Sequence, residues 1–257
     1  TFTMPAENVT VVATFEDESY RITVTNGTAD NATVHYGDSV TITAYAAPTG
    51  QTFDRWEITG IDTASLDLTQ AELTFTVGTA DIAAKATYKY IDYTVTVEGG
   101  TAYTDGEPAE SITAKYGDFV NIVAEVPTGK RFVKWTSDSG TVAFDHDRQE
   151  TTTFEMPANS VTITAVFEDI DYTVTVTDGT ADKSTAHYGD TVSITADEAP
   201  EGKVFDKWTC ETAGVTIEFA SATSAETTFT MPAGDITVKA NYRNVEEAPS
   251  FEVKVNG

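Results

Sequence analysis

The chain has 257 residues and a formal net charge of −26, because 41 aspartates and glutamates stand against 15 lysines and arginines. Such a charge repels the phosphate backbone of nucleic acids, so these are not expected as partners. A single cysteine excludes an intramolecular disulfide, and no apolar run approaches the ~20 residues of a membrane-spanning helix, so no membrane insertion is predicted for this part of the chain.

Residues 1–17 have the sequence of a closing segment that returns three times later in the chain. The pattern Thr-Phe-x-Met-Pro-Ala, followed by alternating apolar residues, recurs over Thr153 to Phe167 and over Thr228 to Tyr242. Thr74 to Tyr88 carries the same pattern with Met and Pro replaced. We therefore predict that residues 1–17 are the C-terminal part of a preceding repeat, and that the chain is a piece of a longer protein.

Three full repeats are predicted next, at residues 18–90, 91–169 and 170–244. Each opens with a tyrosine that begins a strand of alternating apolar residues, which is typical of a half-buried antiparallel strand. These tyrosines are Tyr20, Tyr93 and Tyr172, spaced by 73 (93 − 20) and 79 (172 − 93) residues. The strand ends at a pair that favours the positive φ values of a tight hairpin turn. The pairs are Asn26-Gly27, Gly99-Gly100 and Asp178-Gly179.

Three further motifs follow in every repeat. The first is Tyr-Gly-Asp, at Tyr36, Tyr116 and Tyr188. The second is a Pro-x-Gly turn, at Pro48, Pro127 and Pro200. The third is Phe-x-x-Trp, at Phe53 and Trp56, Phe132 and Trp135, and Phe205 and Trp208. We predict that these phenylalanines and tryptophans form the core of each repeat, and the alternative is that exposed tryptophans stack against sugars.

The segments between the tryptophan strand and the closing segment differ in length and composition between repeats. They run over Ile58 to Leu68, Ser137 to Gln149 and Glu211 to Ser224. Variable loops on a constant scaffold commonly carry binding, although drift produces the same variation. The candidate binding residues in them are Ile58, Leu66, Phe144, His146, Val215 and Phe219.

Carboxylates gather at the predicted joints between repeats, where a calcium ion held by oxygen ligands would stiffen the joint. The clusters are Glu16-Asp17-Glu18, Glu168-Asp169-x-Asp171 and Glu246-Glu247. They lack the spacing of a complete calcium-binding loop, so a solvated linker is the preferred interpretation, and no cofactor or metal ligand is predicted. An isopeptide link at Lys85 or Lys239 is disfavoured, because only half of the copies have lysine at that position.

Residues 245–257 are predicted to be a linker and the first strand of a following module or a cap, because Phe251, Val253 and Val255 alternate. The predicted fold class is all-β, a tandem array of small antiparallel modules resembling a sandwich or barrel. Units of this size lie near the lower limit for a self-sufficient core.

Together, these motifs resemble the divergent internalin-type (InlB) B-repeats of bacterial surface proteins, over nearly the whole chain from Thr1 to Tyr242. The resemblance implies an extracellular location, on the bacterial cell surface or secreted, and a role as stalk, spacer or adhesive module. It also implies a β-grasp-like module as the alternative fold. That fold would need a helix, for which only residues 63–71 and 144–151 are candidates.

No catalytic motif occurs and no nucleophile recurs with a base at fixed spacing, so an enzyme is not predicted. The predicted function is a non-catalytic stalk or adhesive region, monomeric in itself. The alternative is a specific binder of a host extracellular or cell-surface protein, for example an immunoglobulin or a mucosal glycoprotein, through the variable loops. A weaker alternative is a carbohydrate-binding accessory module that uses the tryptophans.

Overall fold

The computed structural model describes residues 1–245. Residues 246–257, which hold nearly all of the predicted linker and following strand, lie outside the described range. The chain divides into two compact units. One comprises Thr1–Thr94, Thr113–Asp118 and Glu155–Ser160, and the other comprises Val95–Ile112, Phe119–Phe154 and the described chain from Val161 onward. Between residues 1 and 245, no helix is long and apolar enough to span a membrane.

Each of the three repeats is all-β and contains seven strands in two small sheets. In repeat 1 the strands are β1 Ser19–Thr25, β2 Gly27–Ala29, β3 Thr33–His35, β4 Ser39–Ala44, β5 Gln51–Thr59, β6 Glu72–Thr76 and β7 Ile82–Tyr90. The order is β3-β1-β7-β5 in the four-stranded sheet and β2-β4-β6 in the three-stranded sheet. The predicted all-β tandem array is confirmed.

Repeats 2 and 3 have the same two sheets as repeat 1. The strands of repeat 2 are β8 Asp92–Glu98, β9 Gly100–Tyr103, β10 Ser111–Lys115, β11 Phe119–Ala124, β12 Lys130–Ser137, β13 Thr151–Glu155 and β14 Val161–Asp169. Those of repeat 3 are β15 Tyr172–Thr177, β16 Gly179–Ala181, β17 Thr185–Ala186, β18 Thr191–Ala196, β19 Lys203–Cys210, β20 Glu226–Thr230 and β21 Ile236–Asn244. The segments considered for a short helix, residues 63–71 and 144–151, consist of turns, bends and extended backbone.

One pairing in each repeat is parallel, although the alternating pattern predicts antiparallel strands. The first strand lies beside the last, as in β1 and β7, where Ile22 is opposite Ile82. The same pairing joins β8 to β14 and β15 to β21. Strand periodicity reports which face is buried but not the direction of the neighbour, so the sequence pattern does not reveal this pairing.

The turn after the first strand does not form a hairpin. Asn26, Gly99 and Asp178 do have positive φ values, of 60°, 76° and 59°. However, β1 and β2 belong to different sheets, so the chain crosses from one sheet to the other at this point. The second residue of each pair is glycine for a different reason, because a Cβ at Gly27 would lie 2.8 Å from the Cη2 of Trp56.

A β-bulge explains the spacing of the Phe-x-x-Trp motif. Residues three apart in a regular strand point to opposite faces. In β5 the register with β7 shifts between Phe53 and Arg55, and the extra residue brings Phe53 and Trp56 to the same side. The same shift occurs between Phe132 and Lys134 in β12, and between Phe205 and Lys207 in β19.

In repeats 1 and 3, the core lies between the two sheets. In repeat 1, the four-stranded sheet supplies Ile22 and Trp56 and the three-stranded sheet supplies Ile42 and Phe75, all of them buried. Repeat 3 has the equivalent cluster around Trp208. Residues 1–18 form no strand, and their apolar side chains are exposed. In repeat 1, the matching segment pairs with strands that precede it in the chain.

Candidate functional site

The three tryptophans lie at the centre of the repeats. The exposed fraction of the side chain is 0% for Trp56 and 2% for both Trp135 and Trp208. The partner phenylalanine of each motif packs against its ring, with ring centroids 5.9, 5.4 and 5.8 Å apart in repeats 1, 2 and 3. No indole face is open for stacking against a sugar, so the carbohydrate-binding alternative has no platform at these residues.

Each tryptophan also holds the chain segment that follows its strand. We call these segments the post-tryptophan loops, which are residues 60–71, 138–150 and 211–225. The backbone N–H of Trp56 donates to the carbonyl of Leu68 at 2.8 Å, and its indole N–H donates to the carbonyl of Gln70 at 3.1 Å. Trp135 and Trp208 make the same two bonds within their own loops. The loops therefore vary in sequence between fixed attachment points.

The apolar candidate binding residues in these loops pack inward in the structure. Ile58 and Leu66 lie against the core of repeat 1, and Val215 and Phe219 lie against the core of repeat 3. Phe144 packs edge-on to Phe154 at 5.9 Å between ring centroids. His146 is exposed, and its backbone N–H donates to the hydroxyl of Thr152 at 3.0 Å. Sequence variability alone does not reveal which loop side chains anchor the loop and which face solvent.

The Tyr-Gly-Asp motif builds a tight turn that presents its tyrosine outward. In repeat 2, the Asp118 carboxylate accepts the backbone N–H of Lys115 at 2.8 Å, and Gly117 has a φ of +86°. The same bond joins Asp38 to His35 and Asp190 to His187. The sequence shows this motif as a repeated pattern but gives no role for the tyrosine, which the structure supplies.

Tyr116 and Tyr188 each cover the Pro-x-Gly turn of the repeat before them. A Cβ at Gly50 would clash with the Cβ of Tyr116 and lie 2.8 Å from its Cγ. A Cβ at Gly129 would clash with Tyr188 in the same way. The first contact lies within one compact unit and the second within the other. We call this contact, together with the hydrogen bonds described next, the Tyr–Gly joint.

The backbone reinforces each Tyr–Gly joint. Ile91, which follows the last strand of repeat 1, donates its N–H to the carbonyl of Gly50 at 2.9 Å. Ile170 makes the same bond to Gly129 at 2.9 Å. Only Ile91 separates β7 from β8, so the connection between repeats 1 and 2 is a single residue. Gly202 accepts the matching backbone bond, from the Val245 N–H at 2.9 Å, but among residues 1–245 neither Tyr36 nor Gly202 makes the tyrosine–glycine contact. Tyr36 is 73% exposed against 41% for Tyr116.

Basic side chains lie against the carboxylates beside the second joint. Asp169 accepts a hydrogen bond from the Lys130 ammonium at 2.7 Å, Asp171 lies 3.0 Å from the His187 imidazole, and Glu168 pairs with Arg131. The hydrogen bond from Lys130 lowers the pKa of Asp169. Among the side chains of residues 1–245, no group of three or more His, Cys, Asp or Glu residues is placed to hold a metal ion.

The two lysines considered for an isopeptide link form surface ion pairs. The Lys85 ammonium lies 3.5 Å from a Glu57 carboxylate oxygen. The Lys239 ammonium lies 3.9 Å from Glu211 and 4.0 Å from Asp178. Both lysine side chains are more than a third exposed, so neither is a buried amine poised for covalent bond formation.

Tyr242 links the last strand of repeat 3 to two turns through its hydroxyl. We expect the ionisation of this hydroxyl to lower the stability of the folded chain at alkaline pH. The Tyr242 hydroxyl donates to the carbonyls of Asp197 at 2.8 Å and Asp178 at 3.1 Å. Burial, and then the nearby carboxylates of Asp197 and Asp178, raise its pKa. The unfolded chain ionises near pH 10, whereas the folded chain keeps the neutral phenol, so this stabilisation is complete below pH ~10 and is lost as the pH rises toward the folded pKa.

We expect chemical denaturation between pH 8 and 11 to show this loss in the unaltered chain and less of it in Tyr242→Phe. The substitution keeps the ring, and Phe167 already occupies the equivalent position in repeat 2. Two stability curves that stay parallel across the whole pH range would contradict the assignment.

The comparisons with known proteins agree with the repeat boundaries of these sheets. A family model described as the divergent InlB B-repeat domain matches the chain four times, over residues 1–19, 20–92, 93–171 and 172–246. The search of curated proteins finds no match.

Proposed function

This chain belongs to the divergent InlB B-repeat family, and on that premise we propose that it is a non-catalytic spacer that carries other parts of a bacterial surface protein away from the cell. The family supports a surface-protein repeat region, and an extracellular location follows from that role. The large negative charge keeps such an array soluble and suppresses association between neighbouring copies.

The Tyr–Gly joint is the observation that carries this proposal. A spacer needs its repeats to resist bending, and a direct peptide connection alone leaves the angle between repeats free. Here a tyrosine packs closely against a glycine, and a side chain at that position would clash with it. A backbone hydrogen bond also holds the residue that connects the two repeats. The same arrangement occurs at Gly50 and at Gly129, so it is a property of the repeat rather than of one pair.

Small-angle scattering tests the spacer directly. A compact protein of this length would have a radius of gyration of about 18 Å. We expect a clearly larger value and an asymmetric distance distribution, independent of protein concentration. A value near that of a compact sphere would overturn the proposal.

Gly129→Ala is expected to loosen the joint between repeats 2 and 3. The residue has a φ of +78°, so any side chain there costs about 1–2 kcal/mol of backbone strain. The new Cβ must also displace Tyr188. Nitrogen-15 relaxation should show the two repeats tumbling as one body in the unaltered chain and with separate correlation times in the variant.

Gly202→Ala is the matched control for this experiment. Gly202 occupies the same turn with a φ of +75°, but a Cβ there meets nothing within 4 Å. The control therefore carries the backbone strain without the clash, and its tumbling should match that of the unaltered chain. If both variants behave alike, backbone strain rather than the tyrosine contact controls the joint.

A second candidate function is specific recognition of a host protein, such as an immunoglobulin or a mucosal glycoprotein. The fixed attachment of the post-tryptophan loops favours it, because their exposed residues, such as His146, can change while the anchored residues hold the loop in place. Exchanging residues 138–150 for residues 60–71 should then abolish retention of one host protein on the immobilised chain. Retention that is unaffected by every such exchange would remove this candidate.

A further inference from the structure

Strand β6 forms one edge of the three-stranded sheet in repeat 1. Its inner side pairs with β4, and Val77, just beyond it, donates its N–H to the carbonyl of Asp38 at 2.9 Å. Because backbone groups alternate in direction along a strand, residues 73, 75 and 77 bond inward while Thr74 and Thr76 direct their N–H and C=O groups outward. Such an outward row is a template for another strand.

The post-tryptophan loops cover this edge in the other two repeats. In repeat 2, Phe144 forms a bridge with Phe154, and the N–H of Asp145 donates to the carbonyl of Thr153 at 3.0 Å. In repeat 3, Phe219 forms the bridge with Phe229, and Ala220 donates to Thr228 at 2.8 Å. Both loops thus add a short extended segment that carries one aromatic ring.

Repeat 1 lacks this cover. Ser65 stands nine residues after Trp56 (65 − 56), as Phe144 stands nine residues after Trp135 (144 − 135). No hydrogen bond joins the loop to the Thr74 carbonyl, and within residues 1–245 only repeats 2 and 3 have the Phe–Phe bridge. An open cleft of about 720 Å³ lies beside the strand instead, lined by residues that include Ile61, Ser65, Leu66 and Thr74–Thr76.

We propose that the outer edge of β6 and this cleft bind an extended peptide segment of a partner protein by strand addition, with an aromatic side chain of the peptide in the cleft. The covering segments of repeats 2 and 3 define the chemistry of the occupant, which is one aromatic residue followed by a residue whose N–H bonds to the strand. Main-chain hydrogen bonds supply affinity in this mode, and the side-chain pocket supplies selectivity.

Charge narrows the class of peptide further. Asp62 is the charged residue that lines the cleft, and no lysine or arginine lines it. The chain as a whole carries a net charge of −26. An aromatic residue flanked by uncharged or basic residues therefore fits the edge better than an acidic segment, because the field disfavours further negative charge.

The test uses the whole chain, labelled with nitrogen-15, and one defined peptide. The peptide has the sequence of Val142–Arg148 with Asp145→Ser and Asp147→Ser, and both of its ends are blocked. We expect saturable shifts of the Thr74 to Thr76 amide resonances and slower hydrogen exchange at Thr76. A control peptide that also carries Phe144→Ser should bind at least about tenfold more weakly, because it lacks the buried aromatic ring.

One variant of the chain covers the edge of β6, and a second variant uncovers the corresponding edge of β20. Ser65→Phe restores the covering residue and should weaken peptide binding by about tenfold or more. Phe219→Ser should expose β20 and add a second set of shifts at Thr228 to Thr230. Dispersed amide resonances from the core strands of the altered repeat, around Trp56 in one variant and Trp208 in the other, verify that both variants fold.

Three results would overturn the proposal. Shifts confined to residues away from β6 would place the peptide elsewhere, and equal binding of the Phe144→Ser peptide would remove the role of the aromatic ring. Shifts of Thr74 to Thr76 that depend on protein concentration without any peptide would identify a second copy of the chain, and not a partner peptide, as the occupant. The spacer role is tested separately, through the Tyr–Gly joint.

Discussion

Replacement of Trp135 by alanine should lower the free energy of unfolding of repeat 2 by about 3 to 5 kcal/mol, the range for truncating a large buried aromatic side chain. The side chain is 2% exposed and packs on Phe132. Its indole N–H also holds the carbonyl of Gln149 at 3.0 Å, so the variant loses apolar burial and releases one end of the loop. Chemical denaturation followed by circular dichroism should show an early transition for one repeat.

Trp135→Phe separates the two contributions to this loss. The phenyl ring keeps part of the apolar contact but leaves the Gln149 carbonyl without its donor, so an intermediate loss is expected. The other two repeats contain their own tryptophans and serve as internal references. A loss below about 1 kcal/mol for the alanine variant would contradict the central position of this residue.

Gly100→Ala should destabilise the same repeat by about 1 to 3 kcal/mol, through overpacking rather than through a cavity. The added Cβ would overlap the carbonyl oxygen of Val123 and lie 3.0 Å from the Cη2 of Trp135. Backbone atoms of a paired strand cannot retreat as the end of a flexible side chain can. The free energy of unfolding, measured by chemical denaturation, gives the comparison.

Gly106→Ala is the control for Gly100→Ala. It lies in the same repeat, and a Cβ there meets nothing within 4 Å. Its effect should stay within about 0.5 kcal/mol, as for an ordinary surface substitution. Similar losses for both variants would contradict the assignment of the cost to the contacts at Gly100, because chain entropy alone favours alanine over glycine.

Much of the fold follows from the sequence, because it depends on local pattern. Alternating residues such as those around Ile22 predict strands, and the repeated Phe53 and Trp56 mark the centre of the module. The parallel pairing of β1 with β7 does not follow, since the buried face of a strand is the same for either direction of its neighbour. The bulge that aligns Phe53 with Trp56 is visible only in the strand register.

The candidate sites were less predictable, because they depend on contacts between distant segments. Leu66 and Phe144 are candidate binding residues because they stand in variable segments, and both pack against buried residues. The Tyr–Gly joint involves Gly50 and Tyr116, which belong to different repeats, and no local pattern links them. Ser65 stands where repeat 2 has Phe144, so the sequence contains the difference that leaves the edge of β6 open. The consequence of that difference is visible only once the path of the loop is known.

The Tyr–Gly joint also allows the repeats to exchange places along the chain. Every complete repeat carries the tyrosine near its beginning and the glycine turn further on, so the same contact can form between any two consecutive repeats. Insertion or loss of one whole repeat leaves every remaining joint intact. Duplication or deletion of one repeat can thus lengthen or shorten such a protein in a single step, without compensating mutations. The length of the protein can therefore evolve faster than the sequence of the repeat.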